Sequence, residues 1–331
     1  MSQINRRTLL AGAAATSALA ASASVAQSDK VKPKVDLKGK RVLITGCSSG
    51  FGRLAAESYA RQGAKVFATM RRLPRKEAEE LRIMALNEKL DLQVIEIDVT
   101  NDKQVEEGVA QAIAGAGGTI DVLINNAGIS YGGPVEIQDM DATRHMFETN
   151  VFGPQRMARA VLPAMRKAKS GLIINVSSQL GKVIVPAYGQ YSPTKFALEA
   201  MSQSMAYELV PHGIDVTIIQ PGGYPTKIWE NSNANAARLL ERAEAKHTDG
   251  YKMLIAQLQS GTGGGGSTDP MDVPNAMAEV ISMAPGTRPI RRAVHPGLKP
   301  QQALNDLVDT VQTKWLGETP YGPWIKSVHN T

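Results

Sequence analysis

Cysteine is almost absent from this chain of 331 residues, with Cys47 the only example. No internal disulfide is possible, so burial and hydrogen bonding must hold the fold together. Aromatic residues make up 5% of the chain and no long lysine/arginine run is interleaved with them, which argues against a nucleic-acid surface. The five histidines, at 145, 212, 247, 295 and 329, lack the spacings that bring metal ligands together, and no metal is expected. Cys47 has no paired histidine and reads as a small packing residue rather than a nucleophile. What remains is an ordinary globular composition, 43% hydrophobic and 21% charged, long enough for one large α/β domain or two smaller ones. The formal charge of +6 describes a mildly basic surface that suits an anionic ligand without demanding one.

The first residues form a leader to be set aside before the fold is read. Arg6-Arg7-Thr8-Leu9-Leu10 precedes an Ala-rich apolar stretch through Ala23, and Ser24-Val25-Ala26 offers small residues at a cleavage point. The stretch is too short and too Ala-rich for a stable membrane span. Paired arginines favour a twin-arginine signal over residues 1–26, against a Sec-type or disordered leader. Cleavage after Ala26 removes two arginines and no acid, leaving 35 basic and 31 acidic residues, a formal +4. The expected route is the twin-arginine export machinery and the expected destination the bacterial periplasm. Without cleavage the protein stays cytoplasmic.

After a polar lead-in over 27–39, strand and helix patterns alternate. Strands are expected at Arg41–Thr45, Lys65–Thr69, Leu92–Ile97, Val122–Asn125, Leu172–Val176 and Val216–Gln220. Between them, helices are expected at Gly50–Gln62, Glu77–Leu90, Lys103–Ala114, Ala142–Met165 and Ser192–Leu209. Such alternation implies a doubly wound parallel sheet with helices on both faces. Val42-Leu43-Ile44 and Leu172-Ile173-Ile174 are continuous apolar runs, as strands buried on both faces should be. Beyond Gln220 the rhythm breaks. Helices at Ala234–Ala245, Tyr251–Leu258 and Val273–Met283 flank the glycine-rich Gly261–Ser267, expected to be a mobile loop, and Ile290–Val294 reads as a last strand. The organisation is one catalytic domain over 40–298, with a helical lid at about 224–270, and a C-terminal extension over 299–331.

Gly46, Gly50 and Gly52, in Thr45-Gly46-Cys47-Ser48-Ser49-Gly50-Phe51-Gly52, lie between the first strand and the first helix. Glycine permits the tight turn and lets backbone amides approach a pyrophosphate, and the helix N-terminus adds partial positive charge. An acid at the end of the second strand would hold a ribose 2′-hydroxyl. Here that strand ends Ala68-Thr69-Met70-Arg71-Arg72, with Met70 at the acid's place. A guanidinium at Arg71 or Arg72 suits a 2′-phosphate, so NADP(H) is preferred over NAD(H).

Tyr191 and Lys195 stand one helical turn apart, hence on one face. A free phenol titrates near ~10; a neighbouring ammonium stabilises the phenolate, the tuning a general acid/base needs. Ser178 follows the fifth strand, where its hydroxyl can hold a substrate oxygen; Ser177 competes for that part. Tyr188 competes less well with Tyr191, because no lysine stands one turn on.

The glycine spacing, Asn125-Asn126-Ala127-Gly128 and Tyr191-Ser192-Pro193-Thr194-Lys195 together resemble the short-chain dehydrogenase/reductase family, in its classical branch, over roughly 40–226. The resemblance implies that Ser48, Ser49 and Phe51 belong to the nucleotide loop. It implies adenine contacts from Asp98 and Val99, and cofactor contacts from Asn126, Ala127 and Gly128. Pro221, Gly222, Tyr224 and Thr226 would meet the nicotinamide side. It also selects Ser178 over Ser177 and gives Asn150 a role in a water-linked proton path to Lys195. The implied reaction interconverts a small-molecule carbonyl and an alcohol by hydride transfer, with Tyr191 as acid/base. Substrate contacts are expected from Gln179, Tyr188 and Trp229, and a dimer or tetramer through the Ala142–Met165 and Ser192–Leu209 helices. The rival readings are a non-catalytic NADP(H) sensor and an epimerase or dehydratase of the extended branch.

Overall fold

Seven strands rich in branched aliphatic residues alternate with helices along the chain. The computed structural model describes residues 35–259 and 264–330. The leader expected over 1–26 and the first part of the lead-in lie outside the described residues. Strands β1 (Arg41–Ile44), β2 (Lys65–Met70), β3 (Leu92–Glu96), β4 (Val122–Asn125), β5 (Gly171–Val176), β6 (Ile214–Pro221) and β7 (Arg291–Val294) form one sheet ordered β3-β2-β1-β4-β5-β6-β7. Every pairing is parallel. The order reverses between β1 and β4, and ligands bind at the carboxyl edge beside such a reversal. β4 and β5 are buried along their whole length, which explains their unbroken apolar sequences.

Helices α1 (Gly50–Arg61), α2 (Lys76–Asn87), α3 (Asp102–Gly115), α4 (Met140–Phe147), α5 (Gly153–Ala168) and α6 (Tyr191–Leu209) complete the alternation. One core layer gathers Tyr59 of α1 and Leu81 of α2 against Ile44 and Val66. The other gathers Val105 of α3 and Met157 and Val161 of α5 against Leu43 and Ile173. Both faces of the sheet are covered, so the fold is Rossmann-like, as expected. Side-chain caps set two helix starts: Asn101 accepts from Gln104 N at 3.0 Å, and Asp139 from Ala142 N at 2.8 Å.

The single helix expected over Ala142–Met165 is two helices. A π-helical turn at Glu148–Phe152 separates α4 from α5. Within it lies Asn150, whose side chain accepts from Ile129 N and donates to Ile129 O, both at 2.9 Å. A π-helical turn carries one extra residue, and such bulges accompany functional positions. The apolar period resumes beyond it, so the sequence reads as unbroken.

Past β6 the chain forms α7 (Lys227–Arg242), α8 (Ala245–Thr248), α9 (Lys252–Gln259) and α10 (Asp272–Ser282). α7 starts seven residues before the helix expected at Ala234. The polar run Glu230-Asn231-Ser232-Asn233 disguised it, although Ser232 and Leu239 of this helix are buried. In the glycine-rich stretch, residues 260–263 lie outside the described residues, while Gly265 packs against the site. A Cβ there would fall 2.4 Å from Tyr224 N and Cα. The C-terminal extension contains α11 (Gln302–Leu316) and α12 (Gly322–His329). It is anchored in the body: Asn305 is buried and donates to Gln220 Oε1 at 2.7 Å, and Tyr207 meets His329 at 2.8 Å.

Candidate active site

The β1–α1 turn is shaped by what it omits. Gly46 and Gly50 have φ of +75° and +57°, the left-handed region that disfavours side chains. A Cβ on Gly52 would lie 2.4 Å from Asn126 Nδ2 and 2.6 Å from Gly46 O. That crowding has a purpose. Asn126 donates to Thr45 O at 2.9 Å, and Thr45 Oγ1 accepts from Asn126 N and Ala127 N at 3.0 Å each. The turns after β1 and β4 are thereby clasped, with the α1 N-terminus between them. No acidic residue occupies the first turn of α1 and Ser49 makes no side-chain cap, so its amide groups suit a pyrophosphate. These residues fit a bound dinucleotide.

All the residues expected to touch cofactor or substrate line one cleft of about 640 Å³, except Gly52, which stands behind its wall. Asn150 is likewise behind it, 1% exposed. At the adenosine end, Met70 closes β2, and Arg71 and Arg72 follow it. Arg71 lies 3.8 Å from Asp98, which is the only acid lining the cleft among the described residues. Arg72 has no ion-pair partner among the described residues. Arg75 also lines the cleft but is engaged by Glu77 at 2.9 Å. Tyr224 is more enclosed than an open lid residue: it is 2% exposed, set edge-on to Phe51 at 5.6 Å and to His295 at 5.8 Å.

A buried polar chain sets the catalytic helix against the sheet. Asn125 donates to Asn175 Oδ1 at 2.8 Å, and Asn175 to Ser202 Oγ at 2.8 Å, linking β4, β5 and α6. That seating lets Lys195, 5% exposed, donate from Nζ to Val176 O at 2.9 Å. The ammonium lies 5.6 Å from the centre of the Tyr191 ring. Asn150 reaches the same helix, donating to Thr194 Oγ1 at 3.1 Å. Ser178 accepts from Leu180 N at 3.1 Å, and its hydroxyl is near enough to Tyr191 to favour the phenolate. Ser177 Oγ is buried without a partner and faces Gly181, so of the two serines Ser178 is the one placed to act with Tyr191. Tyr188 also lines the cleft, with Trp229 edge-on at 6.4 Å.

Burial pushes the Tyr191 phenol up to about 12, and the nearby Ser178 hydroxyl offsets only part of that rise. Burial also pulls Lys195 down to about 8, with the Glu199 carboxylate opposing the fall. Among the protein groups themselves, desolvation therefore outweighs whatever stabilisation the neighbouring ammonium gives the phenolate. A pair this strongly perturbed in a cleft marks a functional site.

Sequence reasoning missed the wall facing the adenosine end. Tyr131, from the loop after β4, meets His145 Nδ1 of α4 at 2.9 Å. Asn235 of α7 donates to Ser130 O at 3.0 Å, and Arg242 pairs with Asp139. These contacts hold α7 across the cleft, where Arg238 also lines it. No motif spacing announces them, since each pairs residues from separate elements.

A sheet reversal, a side-chain-free turn and a Ser–Tyr–Lys cluster at the carboxyl edge define a nicotinamide-dependent oxidoreductase. The chain belongs to the short-chain dehydrogenase family: the family model described as "short chain dehydrogenase" matches residues 40–237. An uncharacterized oxidoreductase of Bacillus subtilis, YusZ, is 39% identical over 245 residues, covering 73% of this chain and 85% of that protein. The mitochondrial D-beta-hydroxybutyrate dehydrogenase of Rattus norvegicus is 34% identical over 263 residues, 76% of each chain. A short-chain dehydrogenase from Streptomyces avermitilis superposes with a TM-score of 0.63 at 30% identity, over 83% of this chain and 97% of that one. A metagenomic short-chain oxidoreductase solved with NADP gives 0.60 at 25% identity, over 79% and 99%. A Burkholderia phymatum structure solved with NAD gives 0.66 at 22% identity, over 87% and 97%, and shows the fold alone.

Proposed function

We propose that this protein interconverts a small-molecule carbonyl and its alcohol with NADP(H) as hydride carrier. The observation that carries the reading is the meeting of Ser178, Tyr191 and Lys195 in the same cleft that the glycine turn lines. When bound, the cofactor would supply or accept the hydride and, when oxidised, add a positive ring charge near the phenol. Gly46, Ser48, Ser49 and Gly50 would hold its pyrophosphate, and Asn126 to Gly128 would flank its adenosine half. Tyr191 gives the substrate oxygen its proton in reduction and takes it in oxidation. Ser178 donates a hydrogen bond to that oxygen as charge develops on it. Lys195 supplies the positive charge that favours the phenolate, and Asn150 keeps α4, α6 and the loop at Ile129 in register.

Preference for NADP(H) is supported by Met70 at the β2 end, where an acid would repel a 2′-phosphate, and by Arg71 and the unpartnered Arg72 beyond it. Substrate contacts are assigned to Gln179, Tyr188 and Trp229. A homo-oligomer formed through α5 and α6 belongs to the same reading, supported by Phe152 and Phe196, each 40% exposed; a monomer in sedimentation would remove that part. Export is also proposed, on the leader alone, and N-terminal sequencing of periplasmic protein tests it; uncleaved cytoplasmic protein would refute it.

The main test follows NADPH oxidation with a panel of ketones and aldehydes, and NADP⁺ reduction with alcohols. Tyr191→Phe should lower kcat by about 10²–10⁴-fold while dinucleotide affinity survives. Near-normal turnover in that variant sinks the assignment, and tight binding without turnover of any substrate by the wild type favours a sensor.

A further inference from the structure

The adenosine end of the cleft holds a histidine that the acid–base chemistry does not use. Arg71 and Arg72 leave β2, Asp98 follows β3 and His145 comes from α4, and all four line the cleft. His145 Nδ1 is taken up by Tyr131 Oη at 2.9 Å, with the two rings edge to face at 5.9 Å. That contact fixes the ring and leaves Nε2 as its remaining polar atom, with no hydrogen-bond partner among the described residues. Burial, together with Arg71 and then Arg72, holds the imidazole below its ordinary value of 6.5, with only Asp98 opposing. The ring is thus neutral at neutral pH, half-buried, and within electrostatic range of two guanidiniums. Two guanidiniums, an imidazole nitrogen with no partner among the described residues, and a single carboxylate held beside Arg71 suit this part of the cleft to an anion.

We infer that His145 is a further cofactor-binding residue, which joins Arg71 and Arg72 around the 2′-phosphate and takes up a proton from solvent when that phosphate binds. The inference rests on the NADP(H) reading above. No covalent bond changes: one proton moves from water to the imidazole, and a phosphate oxygen accepts the resulting N–H. A dianion replaces an environment of cations with one of opposite charge, which raises the imidazole value. Where the ring is neutral when free and charged when bound, affinity for NADP⁺ falls as pH rises. Other charges reaching this pair come through Tyr131, which senses Arg238 and Arg242 of α7 and Asp139 before α4. On α4 itself the neighbours are Asp141 and Arg144, with Glu148 opening the π-helical turn beyond it, and none of the three lines the cleft.

The test is calorimetric titration of the purified protein with NADP⁺ and NAD⁺, in buffers of differing ionisation heat, for the wild type, His145→Gln and Tyr131→Phe. The wild type should take up part of a proton with NADP⁺ and none with NAD⁺, and His145→Gln should take up none with either. Tyr131→Phe keeps the imidazole and should keep the uptake. The 2′-phosphate has its own titration near pH ~6, which is common to all three proteins, so the comparison between them isolates His145. A one-unit rise in the imidazole value makes the wild-type advantage over His145→Gln fall by about tenfold from acid to alkaline pH. Equal proton uptake in the wild type and His145→Gln, or a His145 NMR titration unmoved by NADP⁺, overturns the inference while leaving the NADP(H) reading intact. If NADP⁺ binds the wild type no better than NAD⁺ at any pH, the cofactor preference itself fails, and the inference with it.

Discussion

Replacing Lys195 by Met separates what this residue does for catalysis from what it costs the fold. Lys195 is 5% exposed, and its Nζ has one protein acceptor, Val176 O at 2.9 Å. Its value falls from 10.5 to about 8, mainly because burial penalises the charged form. At 1.36 kcal/mol per unit, that depression corresponds to about 3 kcal/mol of folding stability surrendered to keep the ammonium in place. The pH dependence has a definite sign. The unfolded chain protonates this lysine near 10.5 and the folded chain near 8. Between those values the unfolded state binds more protons, so wild-type stability gains from this group as pH rises through the window. Below pH 8 both states carry the proton and the full cost applies. Met fills similar volume without the charge, and orphaning the Val176 carbonyl adds a roughly constant loss of about 1–3 kcal/mol. The stability of the wild type minus that of Lys195→Met should therefore climb by about 3 kcal/mol between neutral pH and the upper end of the window. Urea unfolding at a series of pH values measures it, without added nucleotide, and Tyr191 is common to both proteins. A difference that stays flat across the window refutes the claim that a charged Lys195 is held against desolvation.

Three further outcomes follow from the same structure. Gly52→Ala forces a methyl against Gly46 O and Asn126 Nδ2. It should cost about 1–3 kcal/mol in thermal or chemical unfolding and weaken dinucleotide binding; unchanged affinity would show that the clasp does not shape the cofactor turn. Met70→Asp should reverse the ratio of kcat/KM for NADPH over NADH, since a carboxylate at the end of β2 holds a ribose hydroxyl and repels a phosphate; an unaltered ratio would remove β2 from cofactor choice. Glu199, buried on α6, accepts from Gln220 Nε2 at 2.9 Å and Arg291 Nε at 3.0 Å. Glu199→Ala leaves the Arg291 guanidinium without that carboxylate and should cost about 3–5 kcal/mol in unfolding, with a smaller loss for Glu199→Gln, which keeps the Gln220 contact.

The last of these shows why some of the molecule was legible in sequence and some was not. The sheet could be read because β1, β4 and β5 are buried on both faces and so carry uninterrupted aliphatic runs. The candidate catalytic cluster could be proposed from sequence because its members fall close together: Tyr191 and Lys195 are one turn apart, and Ser178 stands thirteen residues before Tyr191, just beyond β5. The glycine turn is legible for the same reason, since its glycines fall within one short loop: Gly46 and Gly50 take a positive φ, and Gly52 is crowded by Asn126 and Gly46. Glu199–Arg291 and Gln220–Asn305 each join residues more than eighty positions apart, and a polar residue destined for a buried pair looks like any surface residue until its partner is placed. α11 was hidden by that same effect, because its inward face uses Asn305 and Asp309 rather than an apolar stripe to meet Gln220 and Arg291. The split at Glu148–Phe152 was hidden by the opposite effect: one extra residue barely disturbs the apolar period, and only the two-ended bond from Asn150 to Ile129 reveals it. The residues that set the chemistry are therefore local and readable. Those that hold the site in place, such as Asn125–Asn175 and Glu199–Arg291, are long-range pairings, and Tyr131 and His145, though only 14 residues apart, carry no motif spacing; the evidence for both lies in their geometry.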